Sequence, residues 1–208
     1  MSGVSLTFSL LRHGQTEWNV EGRPQGRLDS PLTELGVAQA RAHGATLAPL
    51  PLARAYTSPM GRARRTAELV LEGRDVPLTV LDDLAELDAG EVSGLTRPEW
   101  QTRFPEWAAD RRRDKYRTVF PDGESYEAAA PRADRALKRI HGDGPGAVLI
   151  VAHEMIGKLL RMHLLGLTPA QAMSLHHPQD VIYRVQGGEL SASVAGGPFV
   201  PFPFPPPG

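Results

Sequence analysis

The stretch "GAVLIVAH", residues 146–153, constrains the fold more than any other part of the chain. It is a continuous apolar run that ends in a titratable side chain. Such a run suits a strand covered on both faces, as in the parallel sheets of α/β proteins. A second run, residues 4–11, alternates and then becomes apolar, and ends in Arg12, His13 and Gly14. Two buried strands that each finish on a histidine pose the functional question.

Between and after these strands, helical and extended patterns alternate. Thr33 is placed to cap a helix through about Leu47, with Leu35, Ala38, Ala42 and Ala45 on one face. Residues 53–58 read as a strand and 61–73 as a helix stopped by Gly73. Residues 78–84 read as a short strand, and 98–113 as helical but interrupted by Pro105. A helix over 124–141 contains Pro131, which should start, kink or split it. Ile156, Leu159, Leu160 and Leu164 give helical spacing after the 146–153 strand, and "DVIYRVQGGELSASV" reads as a hairpin turning at Gly187-Gly188. This alternation predicts α/β architecture: a three-layer α/β/α sandwich on a mostly parallel central sheet. Residues 1–196 form one expected domain, with 97–123 as an insertion on its core. The Pro-rich segment 197–208 is expected to be extended or disordered, unable to join a ladder or helix.

Several chemistries are absent. The chain has no cysteine, which removes disulfides, thiolate metal sites and Cys nucleophiles. "HEMIG" has Gly157 where a zinc-protease helix needs its second His. No Gly-rich loop ends in Lys-Ser/Thr, no G-x-S-x-G elbow is present, and no His/carboxylate cluster has metal spacing. The net charge of −1 gives no broad field for nucleic acid or a membrane surface. No secretory signal and no spanning apolar segment are read, so a cytoplasmic protein is the expectation.

A cationic constellation remains. Sites in open α/β sheets lie beyond the carboxyl ends of strands. Arg12, His13 and His153 stand at two such ends, and Arg62 falls in the first turn of the helix after a third strand. Helix N-termini offer free amides to anions, and guanidinium forks match phosphate oxygens. This predicts a phosphate pocket in which an imidazole is the group available to attack phosphorus, His13 being the better candidate. Gly14 is read as allowing close approach of the substrate. Glu86, with Asp83 and Asp88 as competitors, is the candidate proton donor, its pKa raised beside a bound dianion. The charge run "RRRDKYR", 111–117, reads as a solvated helix face. Trp18, Trp100 and Trp107 read as packing residues, as do His43, His141, His163 and the His176-His177 pair.

Five ordered segments carry a resemblance: "LLRHGQTEWN", "EGRPQGRLDSPLTELGVAQA", "YTSPMGRARRTAE", "LAELDAGEVSGLT" and "VLIVAHEMIGKLL". Together they resemble the motifs of the histidine phosphatase superfamily, which includes cofactor-dependent phosphoglycerate mutases. The resemblance implies a mutase-like three-layer fold and no metal. It implies that His13 is phosphorylated, that Arg12, Arg62 and His153 hold the phosphoryl group, and that Glu86 is the acid/base. Asn19 would bond the phosphate or His13, and Gln25 and Gly26 would lie along the substrate. Many members carry Gly after the second histidine; here Glu154 stands there, beside the expected substrate. The segment after the acid motif is short, which favours water as the phosphoryl acceptor. The expected activity is therefore a phosphatase acting on a small phosphorylated metabolite. A mutase primed by 2,3-bisphosphoglycerate, its cofactor in that case alone, and a non-catalytic phosphate binder are the alternatives. A homodimer stays an open arrangement.

Overall fold

The computed structural model describes residues 6–202. In chain order the elements are β1 (Thr7–Arg12), α1 (Glu17–Val20), α2 (Glu34–Leu47), β2 (Leu52–Thr57), α3 (Gly61–Val70) and β3 (Leu78–Val80). There follow α4 (Arg97–Arg103), α5 (Pro105–Arg113), α6 (Tyr126–Gly142), β4 (Ala147–Ala152) and α7 (Glu154–Leu165). The remainder is α8 (Pro169–Ser174), β5 (Val181–Gln186), β6 (Glu189–Val194) and β7 (Val200–Pro201). The seven strands form one sheet in the order β3-β2-β4-β1-β5-β6-β7. The first four are mutually parallel; β5, β6 and β7 extend the sheet antiparallel from β1.

Strand alternation builds the three layers. Phe8 and Leu10 of β1 and Val148, Ile150 and Ala152 of β4 face one side, where Ala129, Ala133 and Ile140 of α6 and Ile156, Leu159 and Leu160 of α7 cover them. Leu11, Leu149 and Val151 face the other, against Ala40 and Leu47 of α2 and Ala63, Ala67 and Val70 of α3. With both faces covered, β4 must be apolar at every position, which is why its sequence is the plainest in the chain.

Local chemistry places the helix starts. The Thr33 hydroxyl accepts from Gly36 N at 3.0 Å and Ser125 caps α6 through Ala128 N at 3.0 Å. α3 and α7 have no cap hydrogen bond from the residue that precedes them. Carboxylates from elsewhere serve both ends, and both belong to the site described below.

Some expectations need correction. The strand expected over 78–84 stops at Val80, and Asp82–Leu84 form a 3₁₀ turn. The helix expected over 61–73 ends at Val70, with Gly73 beyond it at φ +75°. Pro131 neither starts nor splits α6, which is assigned without a break across it. Residues 4 and 5 of the first expected strand lie outside the described residues. The tail does join a ladder: Val200 and Pro201 pair with Ala192 and Ser191, and Phe202 N donates to Leu190 O at 2.9 Å. Proline is tolerated there because β7 is an edge strand. The rest of the tail, 203–208, lies outside the described residues. The hairpin turns at Gly187-Gly188 with φ of +57° and +82°, the positive pair a two-residue turn demands.

Candidate active site

β2, β4 and β1 are neighbours in the sheet, and their carboxyl ends deliver Ser58, His153 and His13 to one place. The rings of His13 and His153 lie 5.2 Å apart, centroid to centroid. Both are buried, at 3% and 1% exposure. His13 faces a cleft of about 180 Å³ lined by Arg12, His13, Asn19, Gln25, Gly26, Arg62, Glu86 and Glu154, together with Arg23, Pro24 and Met155. All the charged and polar positions expected from the sequence except His153 line it directly, and His153 packs on His13.

Hydrogen bonds fix the tautomer of His13. Its Nδ1 lies 2.8 Å from the carbonyl oxygen of Gly14, which can only accept. Nδ1 therefore carries the proton, and the Nε2 lone pair is left free. Burial, and then the charges of Arg12 and Arg62, hold the His13 pKa well below the ordinary imidazole range. The ring is neutral at neutral pH, the state a nucleophile needs. His153 is held low for the same reasons, burial first and then Arg62, His13 and Arg12. Its Nε2 meets the Ser58 hydroxyl at 2.6 Å, while its buried Nδ1 has no partner.

The two guanidiniums are held differently. Arg62 lies in the first turn of α3 with its side chain 1% exposed. Its Nη1 donates to Leu28 O at 2.6 Å and Asp29 Oδ1 at 3.0 Å, and its Nη2 to Gly26 O at 2.9 Å. Asp29 also accepts from the backbone N–H groups of Gly61 and Arg62, capping α3. Arg12 donates from Nη1 to His177 O at 3.3 Å and stands 3.7 Å from Glu154 Oε2. The Nε of each arginine is buried without a partner.

Glu86 sits at the N-terminus of α7. Its Oε2 accepts from Met155 N at 3.0 Å, and its Oε1 from Ile156 N and Leu87 N, both at 2.9 Å. Burial pushes its pKa up, and the three backbone N–H groups and Arg62 oppose this without reversing it. Asp83 instead pairs with Arg135 on the surface, and Asp88 bonds Gly90 N. Neither lines the cleft.

Asn19 and Gln25 line the cleft but are also tied to the scaffold. Asn19 Oδ1 accepts from Thr16 N at 3.1 Å, closing the cap of α1, and from Gln179 Nε2 at 2.7 Å. Gln25 Nε2 donates to Thr16 Oγ1 at 2.7 Å, leaving its buried Oε1 unpartnered. Gly26 adopts φ +53°, and a Cβ there would strike Ala89. Gly14 has a packing reason to be small besides the one expected: a Cβ there would run into the carbonyl of Gly36, so its absence lets α2 pack close.

Sequence reasoning missed Ser58, Asp29 and Thr66. Thr66 accepts from Gly14 N at 3.0 Å and donates to Arg62 O at 2.7 Å, tying the histidine turn to α3. Ser58 and Thr66 flank Arg62 in "YTSPMGRARRTAE", but nothing local marks either as a partner of a strand 50 or more residues away. Nor is the 111–117 charge run all solvent-facing. Arg111 lies over the rings of Phe120, Trp107 and Tyr126, and Lys115 over Tyr126. The tryptophans pack: Trp100 against Trp107 at 5.5 Å, and Trp18 against Gly94.

Residues 8–193 match the histidine phosphatase superfamily (branch 1). The adenosylcobalamin/alpha-ribazole phosphatase of Salmonella typhimurium is 35% identical over 190 residues, covering 88% of this chain and 87% of that one. A 2,3-bisphosphoglycerate-dependent phosphoglycerate mutase of Sinorhizobium fredii is 34% identical over 202 residues, covering 91% and 95%. Among solved structures, Bacillus stearothermophilus YhfR superposes with a TM-score of 0.81 at 33% identity, covering 93% of this chain and 98% of that one. The chain belongs to the histidine phosphatase superfamily, and its sandwich is the phosphoglycerate mutase-like fold. Members of that superfamily are phosphatases or mutases. No helix among the described residues is long and apolar enough to cross a membrane.

Proposed function

We propose that this protein is a metal-independent phosphomonoesterase that hydrolyses a small phosphorylated metabolite through a phosphohistidine on His13. The observation that carries the reading is the neutral His13 ring with Nδ1 committed to Gly14 O and Nε2 free in a cleft lined by Arg12 and Arg62. Arg12, Arg62 and His153 Nδ1–H hold the phosphoryl oxygens. Nε2 attacks phosphorus, the P–O bond to the leaving group breaks, and Glu86 gives its proton to the departing oxygen. Water then attacks phosphorus, Glu86 takes the water's proton, and the P–N bond breaks to return the lone pair to Nε2. Placement of donors where charge develops supplies most of the acceleration in this scheme.

Hydrolysis is favoured over phosphoryl return to the product because no residue of 97–123 is among the described residues that line the cleft. With the cleft unlined by that segment, water is the expected phosphoryl acceptor. The names of the relatives divide between phosphatase and mutase. Scoring phosphate release against isomerisation of 3-phosphoglycerate, with and without 2,3-bisphosphoglycerate, separates the two. A cytoplasmic location and a small-molecule substrate belong to the same reading. The direct test is an aryl phosphate assayed in excess chelator, with acid- and base-quenched enzyme examined for phosphorus. Turnover that survives chelation, a base-stable and acid-labile phosphoenzyme, and loss of both in His13→Ala are expected. Turnover abolished by chelator, or retained in His13→Ala, overturns it.

A further inference from the structure

Glu154 is an odd neighbour for a phosphate: its carboxylate lines the same cleft as Arg12, His13 and Arg62. Its surroundings show how the charge is managed. Oε2 accepts from His177 N at 2.9 Å and stands 3.7 Å from Arg12 Nη1, while that same Nη1 donates to His177 O at 3.3 Å. Glu154 and the backbone of His177 thus bracket the Arg12 guanidinium. Oε1 lies 3.2 Å from the ammonium of Lys158, one turn further along α7. The Lys158 side chain is 1% exposed, and its Nζ makes no well-aligned hydrogen bond. A buried lysine with its charge aimed at one carboxylate has no solvation to justify its place; a partner must.

We propose that Glu154 and Lys158 act as one positioning unit for Arg12: the carboxylate fixes the guanidinium, and the buried ammonium cancels the carboxylate's repulsion of an anionic substrate. This rests on the reading of the cleft as a phosphate pocket. Neither residue touches phosphorus; both act through Arg12 and through the field at its fork.

The groups facing Lys158 make the unit sensitive to pH. On its own helix stand Glu154 and the fully buried Arg161, which lies over the Tyr183 ring of β5. Lys115 approaches from the segment after α5, and Arg12 of β1 stands against the other oxygen of Glu154. The loop before β5 contributes His177 and His176, the latter 4.0 Å from Glu154. Burial, then the like charges of Lys115 and Arg161, pull the Lys158 pKa down to about 8 against the support of Glu154. Above that pH the unit loses a positive charge and the carboxylate is left to Arg12 alone, so the field at the cleft becomes more negative.

Tungstate is a suitable probe, because it is a tetrahedral dianion from neutral to alkaline pH and does not titrate there itself. Its dissociation constant is measured calorimetrically on the intact protein on either side of pH 8. Wild type is expected to weaken about tenfold on the alkaline side, the size of one unit charge lost near a dianion. Lys158→Arg, which does not titrate, holds the neutral-pH affinity throughout. Lys158→Met binds weakly and without pH dependence, and Glu154→Gln/Lys158→Met recovers affinity over Lys158→Met alone. A Lys158→Arg variant that weakens like wild type overturns the proposal, since the titrating group is then elsewhere, Glu86 being the candidate. So does a folded Lys158→Met that binds like wild type at neutral pH. Wild type that binds no tungstate at either pH overturns the phosphate reading of the cleft, and the proposal with it. Wild type that binds while the variants stay indifferent removes the proposal alone.

Discussion

Replacing Ser58 by Ala tests whether the second histidine works through a fixed tautomer. The Ser58 oxygen lies 2.6 Å from His153 Nε2 and accepts from Met60 N at 3.3 Å. His153 Nε2 is the one acceptor within reach of the Ser58 hydroxyl among the described residues, so the arrangement that bonds the hydroxyl proton has Nε2 accepting and Nδ1 carrying the hydrogen. That Nδ1 is buried and unpartnered, ready to donate to a phosphoryl oxygen. Ser58 is 0% exposed and His153 1%, so water does not replace the lost hydroxyl without rearrangement. Losing a neutral bond costs about 1 kcal/mol, and stranding a buried ring nitrogen and an amide adds about 1–3 kcal/mol. For a chain of this size a loss of about 2–4 kcal/mol lowers Tm by roughly 4–16 °C. The catalytic effect is separate. Freed of Ser58, the ring also populates the Nε2–H form, which turns a lone pair on Nδ1 toward the phosphate. One misdirected donor is worth about 1.4–2.7 kcal/mol of transition-state stabilisation, or about 10- to 100-fold in kcat/KM. Kinetics on an aryl phosphate give the second number. The ¹⁵N spectrum of the labelled imidazole reports the tautomer directly. A folded Ser58→Ala protein within about twofold of wild type in kcat/KM, or a wild-type ring protonated at Nε2, refutes the reasoning.

Glu86→Gln is expected to slow an alkyl phosphate by about 10²–10⁴-fold and an aryl phosphate much less, because only the poor leaving group needs the proton; equal losses on both remove Glu86 as acid. In wild type the alkyl rate falls on the alkaline side as Glu86, its pKa raised by burial, loses that proton. Asp29→Ala removes one of three Arg62 partners and the α3 cap, so it should cost about 1–2 kcal/mol of stability and raise KM while Arg62 keeps its bonds to Leu28 and Gly26; an unchanged Tm would show that the cap is idle. His177 is buried with neither ring nitrogen bonded, and burial first, then Arg161 and Arg12, holds its pKa well below the usual value. The unfolded chain therefore takes up a proton below about pH 6.5 that the folded chain refuses, so stability present above that pH is lost as pH falls, by up to about 1.4 kcal/mol per unit per such group. Denaturant titrations of His177→Leu between about pH 4 and 7 should show a slope shallower by about one proton; an unchanged slope would mean the ring protonates in the folded state.

The sheet was legible because burial on both faces leaves a continuous apolar run, and β4 shows one. The short elements were not. β3 has three exposed residues and exists only because Ala55, Tyr56 and Thr57 of β2 offer it a register. β7 is two residues long and pairs through β6, a partner no local pattern in a Pro-rich tail announces. α6 passes through Pro131 because Ala129, Ala130, Ala133 and Ala136 are buried about it, and packing outweighs one lost bond.

The site divides the same way, and the division has a physical cause. Arg12, His13, Arg62 and His153 could be grouped from sequence because strand ends and a helix start place them, and such ends are written in local sequence; Glu86, on a loop after a 3₁₀ turn, was one of three neighbouring carboxyls. What holds each group in its working state is not local. His13 owes its tautomer to Gly14, but Gly14 owes its size to Gly36 of α2. Arg62 is clamped by Asp29, His153 by Ser58, and Glu86 by the amides of α7. The last is reciprocal: a carboxylate caps the helix that follows His153, so the acid and the second histidine are fixed by one set of bonds. Moving Glu86 to another position on its loop would therefore unseat the start of α7 as well as remove a proton donor. That dependence explains why Asp83 and Asp88, equally acidic and equally near in sequence, do not substitute: neither can reach the two free N–H groups of Met155 and Ile156 that make a buried carboxyl tenable there.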